Sequence, residues 1–240
     1  MRDAAPFLPD DLDHFDQLLA KADRVVPMVD VFHGERHDHT IGLRHDVDDN
    51  HGSLDTALKL GEWEHARGYR ATFYLLHDSH YWPNVHDAAR ELFELGHEVG
   101  IHVNAIGEAI RQNRDPKTIL SEALHHLRCA VPVVGMVAHG DPLCHQHRFV
   151  NDELFMECRR PTYGPASRTA GTVLIDPVSM WEFGIKYDAN WIGRGDYLSD
   201  SGGRWSQPFD EVLEQWPATG QLHILQHPDW WARAFQEVTV

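Results

Sequence analysis

The chain has 240 residues, enough to bury a sizeable core in a single domain, and no shift in composition marks a boundary within it. Its 21 Lys and Arg against 37 Asp and Glu give a formal charge of −16, which argues against the clustered basic surface that a nucleic acid or anionic membrane rewards. No apolar run reaches the roughly 18 residues needed to span a bilayer, and the opening "MRDAAPFLPDDLDHF" lacks a signal-peptide core, so a cytoplasmic chain without membrane insertion is expected.

In chain order, residues 1–39 read as a polar lead with a helix over "DDLDHFDQLLAKAD". "HTIGLRHD" is the first strand. "LDTALKLGEWEHARG" carries apolar residues at helical spacing and ends on glycine, and the β-type run "RATFYLL" after it completes a βαβ unit. "NVHDAARELFELG" into "HEVGIHV", and "KTILSEALHHLRCA" into "VVGMVAH", repeat the pattern. Beyond Gly140 the periodicity weakens in a loop-rich stretch, with strand-like "TVLI" and "FGIKYDANW" after it. "YLSDSGGRWSQP" reads as a turn or loop, "FDEVLEQW" as a short helix and "QLHILQHP" as the last strand. Such alternation predicts a largely parallel α/β architecture, in which active sites lie at the C-terminal ends of strands. Asp46, Asp48, His102, His139, Asp188 and His227 are at such ends.

Three cysteines, Cys129, Cys144 and Cys158, form no C-x-x-C pair, which favours free thiols over a disulfide framework or a zinc ribbon. Histidine is abundant, at 19 residues, but an imidazole points to a ligand set only where it gathers with carboxylates. Asp46 and Asp48, separated by one residue on an extended strand, face the same way with Cα atoms about 7 Å apart. One can then bind a cation while the other stays free as a base. A polar turn before a helix starting near Ser53, capped by Asp49 or Asn50, would show the same pattern. His102, which also ends an apolar run, favours the first alternative. Arg44, one strand period before Asp46, shares its face.

"LRHDVDD", then "TFYLL", "LGHEVGIH" and finally "ILQHP" resemble the polysaccharide deacetylases of carbohydrate esterase family four, over about residues 40–228. The resemblance implies a deformed (β/α) barrel of about seven strands in a single domain. It also implies a divalent metal, usually zinc, held by one aspartate and two histidines beside an aspartate base. By motif, Asp46 matches the base, Asp48 a metal ligand, His102 the first metal histidine and His227 the general acid, while His97 in "GHEVG" belongs to a turn. "YDANW" is similar to the family's Asp-plus-Trp motif, which implies Asp188 as a partner orienting an imidazole and Trp191 as a pocket wall.

Two features depart from the family. Its second metal histidine lies four residues after the first, where this chain has Ile106; His139 is the expected substitute, with His145 and His147 in "CHQH" ranked below it. The Arg-x-Pro-Tyr segment, whose arginine pairs with the base, has two competing matches: "MVAHG", without the arginine, and "RRPTYG", with Arg160 and Tyr163. Arg44 is a third way to supply the arginine. The activity implied is metal-dependent removal of an N-acetyl group from an amino sugar or saccharide intermediate, as in surface-polysaccharide biosynthesis. The alternatives are another small N-acyl or formamide hydrolase, and a carbohydrate-binding protein on the same fold that has lost catalysis, which Ile106 supports. The expected partner is a small-molecule or oligosaccharide substrate; the sequence leaves the oligomeric state open. Trp230 in "HPDWW" is a candidate to stack on a sugar ring at the rim, although tryptophan is equally a core residue.

Overall fold

The computed structural model describes residues 6–34, 39–50, 52–158, 162–163, 167–192, 196–216 and 220–236. Among them the strands are β1 (Arg24–Val26), β2 (Thr40–Val47), β3 (Thr72–Leu76), β4 (Glu98–Val103), β5 (Gly135–Ala138), β6 (Arg168–Ala170), β7 (Val173–Ile175), β8 (Tyr187–Asp188), β9 (Asp196–Ser199) and β10 (Gln221–Gln226). The helices are α1 (Pro9–Leu19), α2 (Met28–Phe32), α3 (Ser53–Ala66), α4 (Val85–Glu94), α5 (Ala105–Gln112), α6 (Pro116–Arg128), α7 (Pro142–Gln146) and α8 (Phe209–Gln215). The fold is α/β: a curled parallel sheet of seven strands, in the order β8-β5-β4-β3-β2-β10-β9, flanked by helices as in a deformed β/α barrel. β1 also pairs with β2. Every residue of β2 and β3 is buried, as expected where a parallel sheet is covered on both faces.

The chain's contacts group it into two compact units, one of residues up to Phe73, Glu91–Glu98 and the chain from 193 onward, the other of Tyr74–Arg90 and Val99–Ile192. In the first, β2 pairs with β10 from Thr40↔Gln221 to His45↔Gln226. Ala57, Leu60, Gly61 and Glu64 form the buried stripe of α3 at helical spacing. Glu64 can sit there because His45 Nε2 meets its Oε1 at 2.7 Å, with both side chains fully buried. An aromatic group of Phe7, Phe15, Trp63, Trp205 and Trp231 fills the other side, Phe7 stacking on Trp231 at 4.3 Å.

In the second unit, β5 lies between β4 and β8. The fully buried Tyr74 donates its hydroxyl hydrogen to Tyr187 Oη at 3.1 Å, and the Tyr187 ring lies over Gly135. A Cβ at position 135 would come 2.3 Å from that ring, so the close approach requires glycine.

Three segments differ from the sequence-based expectation. "TVLI" supplies β7, which pairs antiparallel with β6 in a hairpin outside the main sheet. "FGIKYDANW" contributes two strand residues, Tyr187 and Asp188. Within "YLSDSGGRWSQP", Tyr197–Ser199 belong to β9, which runs parallel to β10; a four-residue end strand beside a Gly-rich turn has too few residues to show a period of two. No helix among the described residues is long and apolar enough to cross a membrane.

Gly135→Ala should destabilise the protein by about 1–3 kcal/mol through overpacking against Tyr187. Urea denaturation would show it as a lower midpoint with an unchanged slope.

Candidate metal centre and acid–base site

β2 alternates functional side chains between its faces. His45 turns toward Glu64 of α3, whereas Arg44 and Asp46 share the opposite face, with Arg44 Nε 3.6 Å from Asp46 Oδ1 and both side chains 7% exposed. Arg44 therefore holds the place beside Asp46 that the resemblance gives to a base-pairing arginine. Asp48 follows the strand, and beyond it Asn50 Nδ2 donates to Asp229 Oδ2 at 2.5 Å. His97 is engaged below: its Nδ1 accepts the Ala71 N–H at 3.1 Å and its Nε2–H donates to Gly61 O at 3.0 Å, and burial lowers its pKa. That is a neutral, structural imidazole.

His227 follows β10. Its ring Nδ1–H donates to Asp200 Oδ1 at 2.7 Å and its backbone N–H reaches the same carboxylate at 3.0 Å. Trp231 Nε1 donates to Asp200 Oδ2 at 2.9 Å. The fully buried Asp200 thus fixes the tautomer and leaves Nε2 as the atom that can exchange a proton. Burial by itself lowers the His227 pKa, but the hydrogen bond and charge of Asp200, with the charges of Asp46 and Asp48, outweigh it and raise the value to about 9. Asp200 is the residue that sequence reasoning missed; the spacing Asp-x-Gly-Gly in a Gly-rich stretch reads as a turn. Asp188 accepts the Asn190 N–H on its Oδ1 at 2.8 Å in the turn after β8.

His102, in β4, is 2% exposed and donates Nδ1–H to Val137 O at 3.1 Å, which presents the Nε2 lone pair for ligation. His139 lies one residue beyond β5, where its backbone N–H extends the ladder to Val103 O at 2.8 Å. Its Nδ1 is 3.2 Å from His102 Nε2. Two nitrogens on a tetrahedral zinc with bonds of about 2.0–2.1 Å would lie roughly 3.3 Å apart, so the imidazole pair has a ligating separation. Asp48, His102 and His139 each offer a ligand atom, and these atoms lie within 4.8 Å of one another, forming a possible metal-binding triad. One carboxylate and two imidazoles are a donor set that suits a borderline divalent ion such as zinc and leaves a position open. His77 accepts the Asn104 N–H on Nε2 at 2.8 Å; burial and the neighbouring His102 push its pKa down to about 3, so it stays neutral.

Tyr163 is half-buried, its Oη hydrogen-bonded to His145 Nδ1 at 2.7 Å, and Arg160 lies outside the described residues. Trp191 is half-buried in the turn after Asp188. Trp230 corrects the rim expectation: it is 9% exposed, packed over Gly203, and its carbonyl accepts the Phe7 N–H. Ile106 is fully buried in α5. Compared with known proteins, the chain matches no family model and no curated sequence.

Asp200→Asn should bring the His227 pKa down from about 9 toward 6.5, read by NMR titration of the metal-free protein. Because the folded value is raised, this coupling stabilises the fold fully below pH 6.5 and is lost as pH rises through about 9. The pH-dependent part of the stability gap between wild type and variant should therefore close above pH 9.

Proposed function

We propose that the chain is a zinc-dependent amide hydrolase that removes an N-acetyl group from an amino sugar or saccharide intermediate. The observation that carries this reading is the gathering of Asp48, His102 and His139 while Asp46, on the strand that precedes Asp48, remains available with its Arg44 neighbour. A divalent ion held by those three side chains supplies Lewis-acid polarisation of an acyl carbonyl and makes water more acidic. Asp46 takes the proton from the attacking water as its oxygen adds to the carbonyl carbon. Arg44 keeps the Asp46 carboxylate oriented. His227, held protonated at neutral pH by Asp200, gives its Nε2 proton to the nitrogen as the C–N bond breaks. The products are acetate and a free amine. A carboxylate base and an imidazolium acid differ enough in proton affinity to be in their working states at one pH.

Support for the acid–base pair as a catalytic device comes from the buried Asp200, since a protein that merely bound sugar would have no use for an imidazole held charged. Assay of acetate and formate release across a panel of N-acylated amino sugars tests the activity and separates an acetyl from a formyl substrate; no release of either overturns it. Asp46→Asn should lower turnover by about 10²–10⁴-fold with zinc content retained. His139→Ala should lose zinc as measured by elemental analysis of the purified protein.

A further inference from the structure

The second unit contains a polar cluster in which two side-chain amides commit all four of their N–H hydrogens around three strand ends. Asn151, 1% exposed, donates through Nδ2 to His139 O at 2.8 Å and to Asn104 Oδ1 at 2.9 Å, and its Oδ1 accepts the Ile106 N–H at 3.0 Å. Asn104, 2% exposed, donates through Nδ2 to Asp78 Oδ2 at 2.7 Å and to Asp141 Oδ2 at 2.8 Å. Asp141 in turn holds Arg111 Nη2 at 2.6 Å and caps α7 through Leu143 N–H at 2.8 Å. Asp78 follows β3, Asn104 follows β4, and His139 with Asp141 follows β5. The cluster packs on bare helix backbone: a Cβ at Gly107 of α5 would lie 2.3 Å from Asp141 Oδ2 and 2.4 Å from Asn104 Oδ1.

We propose that the Asn104–Asn151 amide pair is a positioning device that sets the His139 imidazole against His102, a proposal that rests on the metal site described above. His139 stands outside β5, so its backbone direction is fixed on one side by the ladder bond to Val103 O and on the other by the Asn151 amide on its carbonyl. The amide's Oδ1 is itself anchored on the N–H of Ile106, four residues after His102. The position that carries a second histidine in the family that the sequence resembles here supplies the N–H that anchors the amide holding a histidine from another strand. Every hydrogen of both side-chain amides is committed, so neither can rotate or flip without leaving a buried polar group unpaired. The consequence is an imidazole pair held near 3.2 Å before any ion binds.

The test is metal affinity and ligand field, measured on purified full-length protein. Asn151→Ser and Asn151→Ala should bind one zinc per chain about 10–100-fold more weakly in chelator competition, and their cobalt(II) derivatives should show shifted visible d–d bands. Asn151→Ser, which keeps a small polar group at the site, carries the comparison where the alanine variant fails to fold, as judged by circular dichroism. Wild-type zinc affinity and an unshifted cobalt spectrum in Asn151→Ser, alongside loss of metal in His139→Ala, would overturn the positioning role and leave the metal site standing. Wild-type metal binding in His139→Ala would instead remove the metal site itself, and the proposal with it.

Discussion

The parallel register of β2 against β10 is the constraint from which the acid–base half of the site follows. Arg44 is paired with Leu225 and His45 with Gln226, so Asp46 and His227 emerge together where the two strands end. A slip of one residue would turn every β2 side chain to the opposite face. It would carry Asp46 toward the fully buried Glu64, where two carboxylates would be desolvated side by side, and would deprive Glu64 of the His45 imidazole that makes its burial tolerable. The order Arg-His-Asp along β2 therefore specifies the register as well as the chemistry: one face wants a base for Glu64, the other a cation for Asp46.

Packing reaches His227 through a short chain of contacts. Phe7, Phe15 and Trp205 hold the Trp231 ring, the Trp231 indole holds Asp200, and Asp200 holds His227. The aromatic group thus does more than bury area. By fixing a carboxylate in a water-excluded place it sets which ring nitrogen of His227 faces outward and keeps that ring charged well above its ordinary range. Trp230 and Trp231, adjacent in sequence, are consumed by this packing, which is why neither presents a free face.

The parts of the structure that were legible in the sequence are those with a local signature. Long strands with apolar runs, helices with a 3.6-residue period and polar residues at strand ends all announce themselves within ten residues, and the nearness of His102 and His139 follows from their places at the ends of two adjacent parallel strands. Asp200 had no such signature. It lies 27 residues before His227, in a stretch whose glycines dominate its composition, and its role exists only because β9 pairs with β10. Asn104 and Asn151 were silent for the same reason: a single amide has no period, and its meaning depends on which carbonyls the tertiary fold brings within 3 Å.

Under the proposed function, a second imidazole ligand at His139 rather than at position 106 changes how the site must be built. In the family that the sequence resembles, the two metal histidines are four residues apart in the chain, so one short segment sets their separation. His102, near the end of β4, and His139, just beyond β5, come from two separate strands, so no single short segment sets their separation. Their separation must be imposed by tertiary hydrogen bonds, and in this chain the buried amides behind His139 are where those bonds lie. Ile106 then has a double use: its side chain is packed in the core, and its N–H donates to the Asn151 amide that holds the His139 carbonyl. A site of this kind is more exposed to perturbation at a distance, because a change that loosens the loops after β3, β4 or β5 reaches the imidazole pair through a network whose amide donors are all committed.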